Sequence, residues 1–400
     1  MYASNAFNNM NRQTALHNVQ LTCPEMATYM VNTYRAPPSL SVANSNGTEI
    51  LSEEGCTQGD NAGMAFYSSN TIPLISLLHN VPCMQAWFAD DSAAAGLTKE
   101  LRNWWDTLNA KGPSMGYIPN AAKTWLILKH SDKIEEAKQI FHDTGVNVTC
   151  FGKKHLGACL GSPSSKEEFV TKKVDNWVDQ LEKPSSFANA DPHAAYAAFT
   201  FGFMQKWKYI QRTMPEIKHL FHPLESCIRN TFIPSLIGRA VSDTERKIFE
   251  LPTKLGGLNI QNPVNTAEKE YEWSRKLTQP LTTKIVQQLL LFEESAEELE
   301  ANHHQLVRTV RDEKKTLQKI QSDILLQEVN SEMERSLQLA TGKGASIWLN
   351  TLPIKKLGYS LNKQEFQDAI ALRYNFKVKG MSAHCACGKA NTVDHALVCV

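Results

Sequence analysis

Two adjacent carboxylates, Asp90 and Asp91, are the residues of this 400-residue chain that most clearly suggest chemistry. They lie between the mainly apolar run 84–88 and the small-residue run 92–96, a pattern typical of two strands joined by a tight turn. Two carboxylates side by side repel each other, and a divalent cation is their natural partner in a sheltered site. Acidic residues are also common in turns and at helix N-termini, so the pair alone leaves an ordinary turn open.

A second set of metal-ligand residue types stands near the C-terminal end, in the order Cys-x-Cys, seven residues, His, three residues, Cys: Cys385, Cys387, His395 and Cys399. Three thiolates and one imidazole can complete a tetrahedral zinc site, and Gly388 allows the tight turn that a short zinc knuckle requires. His384 is a spare candidate ligand. The spacing predicts a structural Zn²⁺ site, against the alternative of reduced cysteines that lie near a histidine by chance.

Composition places these groups in a large globular chain. The hydrophobic fraction is 42% and the length suffices for two or more domains. With 42 basic and 41 acidic residues the net charge is +1, so only local patches could favour nucleic acid. The nine cysteines do not form a secreted disulfide pattern, and no signal peptide or membrane span is present in the sequence. We therefore predict an intracellular, soluble protein without a membrane partner, in either the nucleus or the cytoplasm.

The elements that would position Asp90 and Asp91 alternate between helix and strand. A buried helix is predicted within 60–80, a hairpin around the acidic pair, and an amphipathic helix over 98–108. Strand-like runs at 124–128, 146–150 and 155–160 flank a helix predicted at about 132–143. This order predicts an α+β fold.

From 166 to 290 the pattern is mainly helical, and its expected core residues are Trp177, Leu181, Phe201, Trp207, Tyr209, Leu220 and Phe221. The segment Lys206-Trp207-Lys208-Tyr209 interleaves basic and aromatic residues as nucleic-acid contacts do, although Trp207 could equally be core. Residues 293–340 predict one or two long charged amphipathic helices. These helices either pack on their own domain or associate with the same helices of another copy. As a further alternative for the whole chain, it could be a structural protein that binds a partner through these helices.

Five motifs occur in a fixed order along the first part of the chain: 3–8, 52–60, 88–91, 116–125 and 154–157. In this order and spacing the set, which covers about residues 2–162, resembles the palm of reverse transcriptases of non-long-terminal-repeat retrotransposons. The resemblance implies a palm-type sheet with helices, a helical thumb-like region and a small zinc knuckle. The expected segments are 1–162 for a partial palm, 163–290 for the thumb, 291–380 for the charged helices and 381–400 for a truncated CCHC-type knuckle.

The resemblance also implies a role for each matching residue in RNA-directed DNA synthesis. Asp90 and Asp91 would bind Mg²⁺, and Lys123 would lie near the incoming triphosphate, or else be an exposed strand residue. The nucleotide- and template-binding positions would be Phe7, Gln58, Gly59 and Lys154. The implied partners are an RNA template, a DNA primer and deoxynucleoside triphosphates. Phe7 could instead be an ordinary core residue, and Lys154 could be structural.

Three departures from the family pattern bear on activity. Tyr2 stands where the family's first motif carries an aspartate, and a phenol cannot replace a carboxylate that bridges two magnesium ions. Asn61 replaces the proline that usually follows Gly-Asp. The basic fingers lie upstream in the family, and both ends of this sequence resemble cut ends of a longer chain. We therefore expect an impaired polymerase fragment or, alternatively, a non-enzymatic remnant that binds RNA or DNA through the thumb and knuckle.

Overall fold

The computed structural model describes residues 1, 3–41, 43, 47, 49–289, 295–392, 395 and 398–399. Two compact units emerge from the packing. The first comprises 1–153, 160–162 and 279–295, and the second comprises 154–159, 163–278 and 296–400. Helices and strands both occur, so the mixed α+β class is confirmed. Among the described helices, none is long and apolar enough to cross a membrane. Tyr2 lies outside the described residues, as do parts of the predicted 291–380 and 381–400 segments.

The first unit contains six helices that precede and surround short strands: α1 Ala6–Asn9, α2 Arg12–Thr22, α3 Pro24–Tyr34, α4 Gly63–Leu78, α5 Thr98–Lys111 and α6 Ile134–Ile140. The described strands form two-stranded pairs, namely β1 Ser39–Ser41 with β2 Glu49–Leu51, β3 Met84–Phe88 with β4 Asp91–Ala95, β5 Trp125–Ile127 with β6 Asn147–Thr149, and β7 Gly152–His155 with β8 Ala158–Gly161. The predicted hairpin, the buried helix before it and the helix after it are thus present. A larger palm-type sheet stays a prediction.

The second unit is almost entirely helical, as the periodicity predicts. Its helices are α7 Pro163–Ala188, α8 Pro192–Ala197, α9 Gln205–Thr213, α10 His222–Cys227, α11 Ile233–Ile237, α12 Asp243–Glu250, α13 Pro263–Val286 (whose last residues, from Gln279, belong to the first unit), α14 Ala296–Glu328, α15 Ser331–Ala340 and α16 Lys363–Arg373. Wide π-helical turns at Ala198–Phe203 and Ile228–Phe232 join α8 to α9 and α10 to α11. A single large apolar cluster forms the core of this unit.

The first unit divides its core among three smaller clusters. One lies among α1 to α4, and a second packs α4 and α5 against the β3–β4 hairpin through Leu74, Leu78, Trp104 and Tyr117. A third surrounds Trp105 and β5. Trp104 and Trp105 are adjacent on α5, so their side chains point in different directions. Trp104 packs in the hairpin cluster, and Trp105 packs in the cluster around β5.

The predicted core of the thumb-like region is partly wrong. Trp177, Leu181, Trp207 and Phe221 are buried, which confirms the core alternative for Trp207, and Leu220 packs at the edge of the same cluster. Phe201 and Tyr209, in contrast, are 49% and 45% exposed. Phe201 lies in the π-helical turn, where the extra residue per turn shifts the phase of the buried face. Tyr209 follows it on α9, and its hydroxyl donates to the backbone oxygen of Leu156.

Within the described part of 293–340, the charged segment folds as α14 and α15. Val310 is buried, so α14 packs on its own unit through part of its apolar face. Ile320 and Ile324, which belong to the same predicted seam, are 50% and 51% exposed. The predicted self-association through this segment stays a prediction.

Candidate functional site

The β3–β4 hairpin presents the acidic pair at its tip. Phe88 pairs with Asp91 in the last register position, so Ala89 and Asp90 form a two-residue turn. Ala89 has φ of 54°, a left-handed conformation that tight hairpin turns require. Asp90 and Asp91 are half-buried, so both residues are partly shielded from solvent and still accessible to it. The carboxylates therefore stand on adjacent residues of a fixed turn.

Two hydroxyl groups behind the tip fix the backbone of this turn. The buried Tyr117 hydroxyl donates to the backbone oxygen of Asp90 at 2.9 Å and lies 3.1 Å from Oγ of Ser92. Since the phenol has one proton, the Ser92 hydroxyl must donate to the Tyr117 oxygen. The Trp87 ring stands edge-on to Tyr117, with centroids 5.2 Å apart. Sequence reasoning quoted Tyr117 only as part of a motif and missed this contact.

A second buried phenol, Tyr67 on α4, belongs to the core cluster of the first helices. It is 2% exposed, and its hydroxyl has no hydrogen-bond partner among the described residues. Burial raises the pKa of Tyr67 above its ordinary value, and the nearby Tyr117 and Asp90 raise this pKa further. A buried hydroxyl without a partner is costly, so it points to a polar group that is completed by a ligand or by solvent beside Asp90.

Phe7 contacts this phenol directly. Its ring lies 4.6 Å from the Tyr67 ring, and its backbone oxygen accepts a hydrogen bond from the amide of Cys56 at 2.9 Å. Phe7 is half-buried and packs at the margin of the core cluster formed by the first helices. The structure thus brings the rings of Phe7 and Tyr67 into contact at the margin of this cluster.

The predicted turn at Gln58 and Gly59 is exposed and its glycine is required, because Gly59 has φ of 96°. The adjoining Asp60 accepts a hydrogen bond from the Tyr34 hydroxyl. That hydroxyl also accepts one from the amide of Thr57 at 3.3 Å. The Tyr34 hydroxyl at the end of α3 therefore holds the turn by hydrogen bonds to Thr57 and Asp60, the residues immediately before and after its two exposed residues.

Buried Arg12, which sequence reasoning missed, holds the loop that leads into this turn. Its guanidinium donates to the backbone oxygens of Ser52, Glu54 and Gly55 at 2.5, 2.9 and 3.0 Å. The Arg12 amide also donates to the Glu54 carboxylate at 2.7 Å. The only sequence signal was a charged residue at the start of an apolar helix, a position that is normally exposed.

Two predicted lysines are exposed. Lys123 ends a short 3-10 turn after Asn120, and no hydrogen bond or ion pair among the described residues joins it to the hairpin. Lys154 lies on β7, next to Lys153, whose ammonium group stands 4.0 Å from the centre of the Trp125 ring. The strand predicted at 155–160 is interrupted, because Leu156 and Gly157, both at positive φ, form the two-residue turn between β7 and β8.

The C-terminal cysteines and histidine converge as their spacing predicts. The ligand atoms of Cys385, Cys387, His395 and Cys399 all lie within 4.8 Å of one another. The sulfurs of Cys385 and Cys399 are 3.7 Å apart, and the Cys387 sulfur is 3.1 Å from Nε2 of His395. Two thiolates on a tetrahedral Zn²⁺, with bonds of about 2.3 Å, stand about 3.7 Å apart. The cluster could therefore hold a metal ion such as zinc; His384 is not part of it.

Local hydrogen bonds build this cluster from two short segments. The amide of Gly388 donates to the Cys385 oxygen at 2.9 Å, which closes the first turn. The amide of Cys399 donates to the His395 oxygen at 2.8 Å, the spacing of one helical turn. Hydrogen bonds from the Cys387 backbone, and then from His395, lower the pKa of Cys385 to about 6. A thiol with this pKa is largely thiolate at neutral pH, the form that binds metals.

Comparison with known proteins finds no match: no family model matches the chain, and no curated protein matches it. The candidate sites therefore depend on the geometry described above and on the motif resemblance.

Proposed function

We propose that this chain is a reverse transcriptase segment of a non-long-terminal-repeat retrotransposon, with a palm that includes the β3–β4 hairpin. The observation that carries the proposal is the hairpin tip, where Asp90 is the second residue of the two-residue turn and Asp91 is the first residue of β4. The partnerless buried hydroxyl of Tyr67, whose pKa is raised by burial and then by Tyr117 and Asp90, supports a polar ligand in this part of the first unit. The Tyr117 hydroxyl, which donates to the backbone oxygen of Asp90 and lies beside the Ser92 hydroxyl, holds this turn in place.

In this proposal Asp90 and Asp91 hold Mg²⁺, which when bound activates the primer 3′-oxygen and stabilises the pyrophosphate leaving group. Phe7 packs beneath the sugar of the deoxynucleoside triphosphate, and the Gln58–Gly59 turn approaches the template–nucleotide pair. Lys123 lies near the triphosphate. Lys154 contacts the DNA primer on its RNA template, and the helices after residue 163 serve as the thumb. Arg12 acts as a positioning residue, because it holds the loop that precedes the Gln58–Gly59 turn.

The C-terminal cluster has a separate role in this proposal. Zn²⁺ bound by Cys385, Cys387, His395 and Cys399 closes a small knuckle whose stability comes from the metal, since the segment is too short for an apolar core. Such a knuckle adds a nucleic-acid contact to the chain. It takes no part in nucleotidyl transfer.

One sequence observation favours a second candidate, a non-enzymatic protein that binds RNA or DNA. Tyr2 occupies the family position of a metal-bridging aspartate. Loss of one oxyanion-hole donor lowers a rate about 10² to 10³-fold, and the loss of a bridging metal ligand should cost at least as much. The chain would then keep the thumb and knuckle contacts and lose the chemistry.

Primer extension on a poly(rA) template with an oligo(dT) primer and Mg²⁺ tests the two candidates. With the family's upstream fingers supplied to both proteins, we expect the Tyr2→Asp variant to extend the primer and the chain that keeps Tyr2 to extend it at least about 10²-fold more slowly. In the Tyr2→Asp background, Asp90→Asn should abolish extension. The matched control Asp132→Asn changes an exposed aspartate far along the sequence and should have no effect.

Binding of Mn²⁺, followed by electron paramagnetic resonance, gives a readout that does not need turnover. Tyr2→Asp should raise the affinity and Asp90→Asn should remove the gain. If Tyr2→Asp neither binds Mn²⁺ more tightly nor extends a primer while the protein is folded, the polymerase proposal fails. Retained binding of the primer–template would then favour the second candidate.

A further inference from the structure

A group of cations surrounds one buried carboxylate where α9, α13 and α14 meet in the second unit. Glu270 on α13 is 7% exposed. One of its carboxylate oxygens accepts a hydrogen bond from Nε of Arg212 at 2.8 Å, and the other accepts one from Nζ of Lys314 at 3.0 Å. Each oxygen of Glu270 is thus already occupied by a cation from a different helix.

Lys208 is a third cation at this place and has no counterion of its own. It precedes Arg212 by four residues on α9, so the two side chains share a helix face. Among the described residues, no hydrogen bond or ion pair reaches the Lys208 ammonium group, which is half-buried. Burial lowers the pKa of Lys208, and Arg212 and Lys314 lower it as well, whereas Glu270 raises it. Three cations against one carboxylate leave two positive charges in excess.

The neighbouring acidic residues do not remove this excess, because each is already paired with another cation. These pairs are Glu268 with Lys218, Glu272 with Lys269, Glu313 with Lys276 and Asp312 with Lys315. The ammonium group of Lys314 also stands 4.4 Å from the centre of the Trp273 ring, which places an aromatic surface beside the cations. A partly desolvated cation without an anion is unfavourable in the free protein, and a bound anion would relieve that cost.

We propose that Lys208, Arg212 and Lys314 bind a backbone phosphate of nucleic acid. This inference rests on the nucleic-acid partner of the proposed function and adds a contact outside the palm. Half-burial leaves the ammonium group within reach of a ligand, and lysine binds phosphate as a point charge. The Trp273 ring offers a stacking surface for an adjoining base. The sequence pattern singled out Lys208 within the basic and aromatic segment 206–209, and the structure adds Arg212, Lys314 and Trp273.

The test is the binding of a fluorescently labelled single-stranded RNA to the full chain, measured by anisotropy at several salt concentrations. Lys208→Met keeps the apolar stem and removes the charge. We expect it to weaken binding about threefold to tenfold and to reduce the slope of log affinity against log salt by about 0.7, the value for one phosphate contact on a single strand. The matched control Lys183→Met removes an exposed lysine from α7 in the same unit and should leave both values unchanged.

Thermal unfolding of the free variants separates binding from a structural role. Removal of an unpaired cation next to two others should leave the melting temperature of the free Lys208→Met chain unchanged or raise it, whereas a lysine needed for the fold would lower it. A lower melting temperature together with weaker binding therefore overturns the proposal. RNA that inorganic phosphate at millimolar concentration displaces only from the unmodified chain would support the proposed contact. Binding of inorganic phosphate that depends on Lys208, together with an RNA affinity and salt slope that do not change in Lys208→Met, would identify a free anion as the ligand and overturn the proposal.

The outcomes also separate this inference from the proposed function. If the unmodified chain binds RNA and Lys208→Met has the same affinity and salt slope, only the phosphate site is wrong. An equal loss in Lys183→Met has the same meaning, because it would reflect net charge alone. If the unmodified chain binds no RNA even at low salt, the proposal of a nucleic-acid partner is wrong, and both the proposed function and this inference are refuted. Primer extension tests the palm without using Lys208.

Discussion

The hairpin tip and the C-terminal cysteine–histidine cluster are both candidate metal sites, yet they are built in different ways. The cluster takes all four ligands from 385–399, and short-range hydrogen bonds bring their ligand atoms within 4.8 Å of one another. The hairpin supplies only the two carboxylates, and the hydroxyl that holds the backbone of Asp90 comes from a distant position in the sequence, Tyr117. The comparison shows that one site is local and complete, while the other depends on tertiary packing.

The largest effect is expected at the local site, where one substitution removes a quarter of the ligands. Cys387→Ser should reduce the zinc content from about one ion per chain to nearly none, because structural zinc needs all four ligands. Atomic absorption after dialysis against a weak chelator measures this. The control Cys227→Ser changes a cysteine outside the cluster and should retain zinc. Unchanged zinc content in Cys387→Ser would contradict the description of the cluster as a complete local site, since the cluster would not be the metal site.

A smaller effect is expected behind the hairpin tip. Tyr117→Phe removes the hydroxyl that donates to the Asp90 oxygen and leaves the Ser92 hydroxyl without its acceptor. We expect the free energy of unfolding to fall by about 1–3 kcal/mol, as for a buried polar group left unpaired. Urea denaturation measures the change. Zinc content should not change, because the cluster is built without this residue.

Tyr67→Phe is the matched variant for that experiment, since it removes a buried phenol hydroxyl that has no partner among the described residues. With no hydrogen bond to lose, the variant should be within about 0.5 kcal/mol of the original chain or more stable than it. A loss as large as that of Tyr117→Phe would mean that the Tyr67 hydroxyl has a partner in solution. That result would weaken the argument that it faces a ligand site.

The smallest effect is a dependence on alkaline pH. Burial raises the pKa of Tyr117 and of Tyr67 above the usual value of a phenol. A phenol whose pKa is higher in the folded state than in the unfolded chain stabilises the fold fully below about pH 10, and this contribution is lost as pH rises toward the folded pKa. The urea midpoint should therefore fall above about pH 10, and less steeply in Tyr117→Phe. Equal slopes in both proteins would show that the phenol does not stay protonated in the folded hairpin.

Local sequence patterns predicted the individual elements well. The mainly apolar run 84–88 and the small-residue run 92–96 on either side of the acidic pair predicted the β3–β4 hairpin. The three- and four-residue spacing of Leu101, Trp104, Trp105 and Leu108 predicted α5. Such patterns succeed because the period of side-chain burial is set by backbone geometry within one element. They failed for Phe201, where a π-helical turn changes that period.

The sequence by itself determined the four ligands of the C-terminal cluster and the two carboxylates at the hairpin tip, since both sets depend on residues close together in the chain. Only the tertiary structure decided that the Tyr117 hydroxyl holds the backbone of Asp90, and that Lys208 shares its surroundings with Glu270 and Lys314. Contacts between residues that are far apart in sequence depend on how whole helices pack, and that packing leaves no periodic signal at the individual positions.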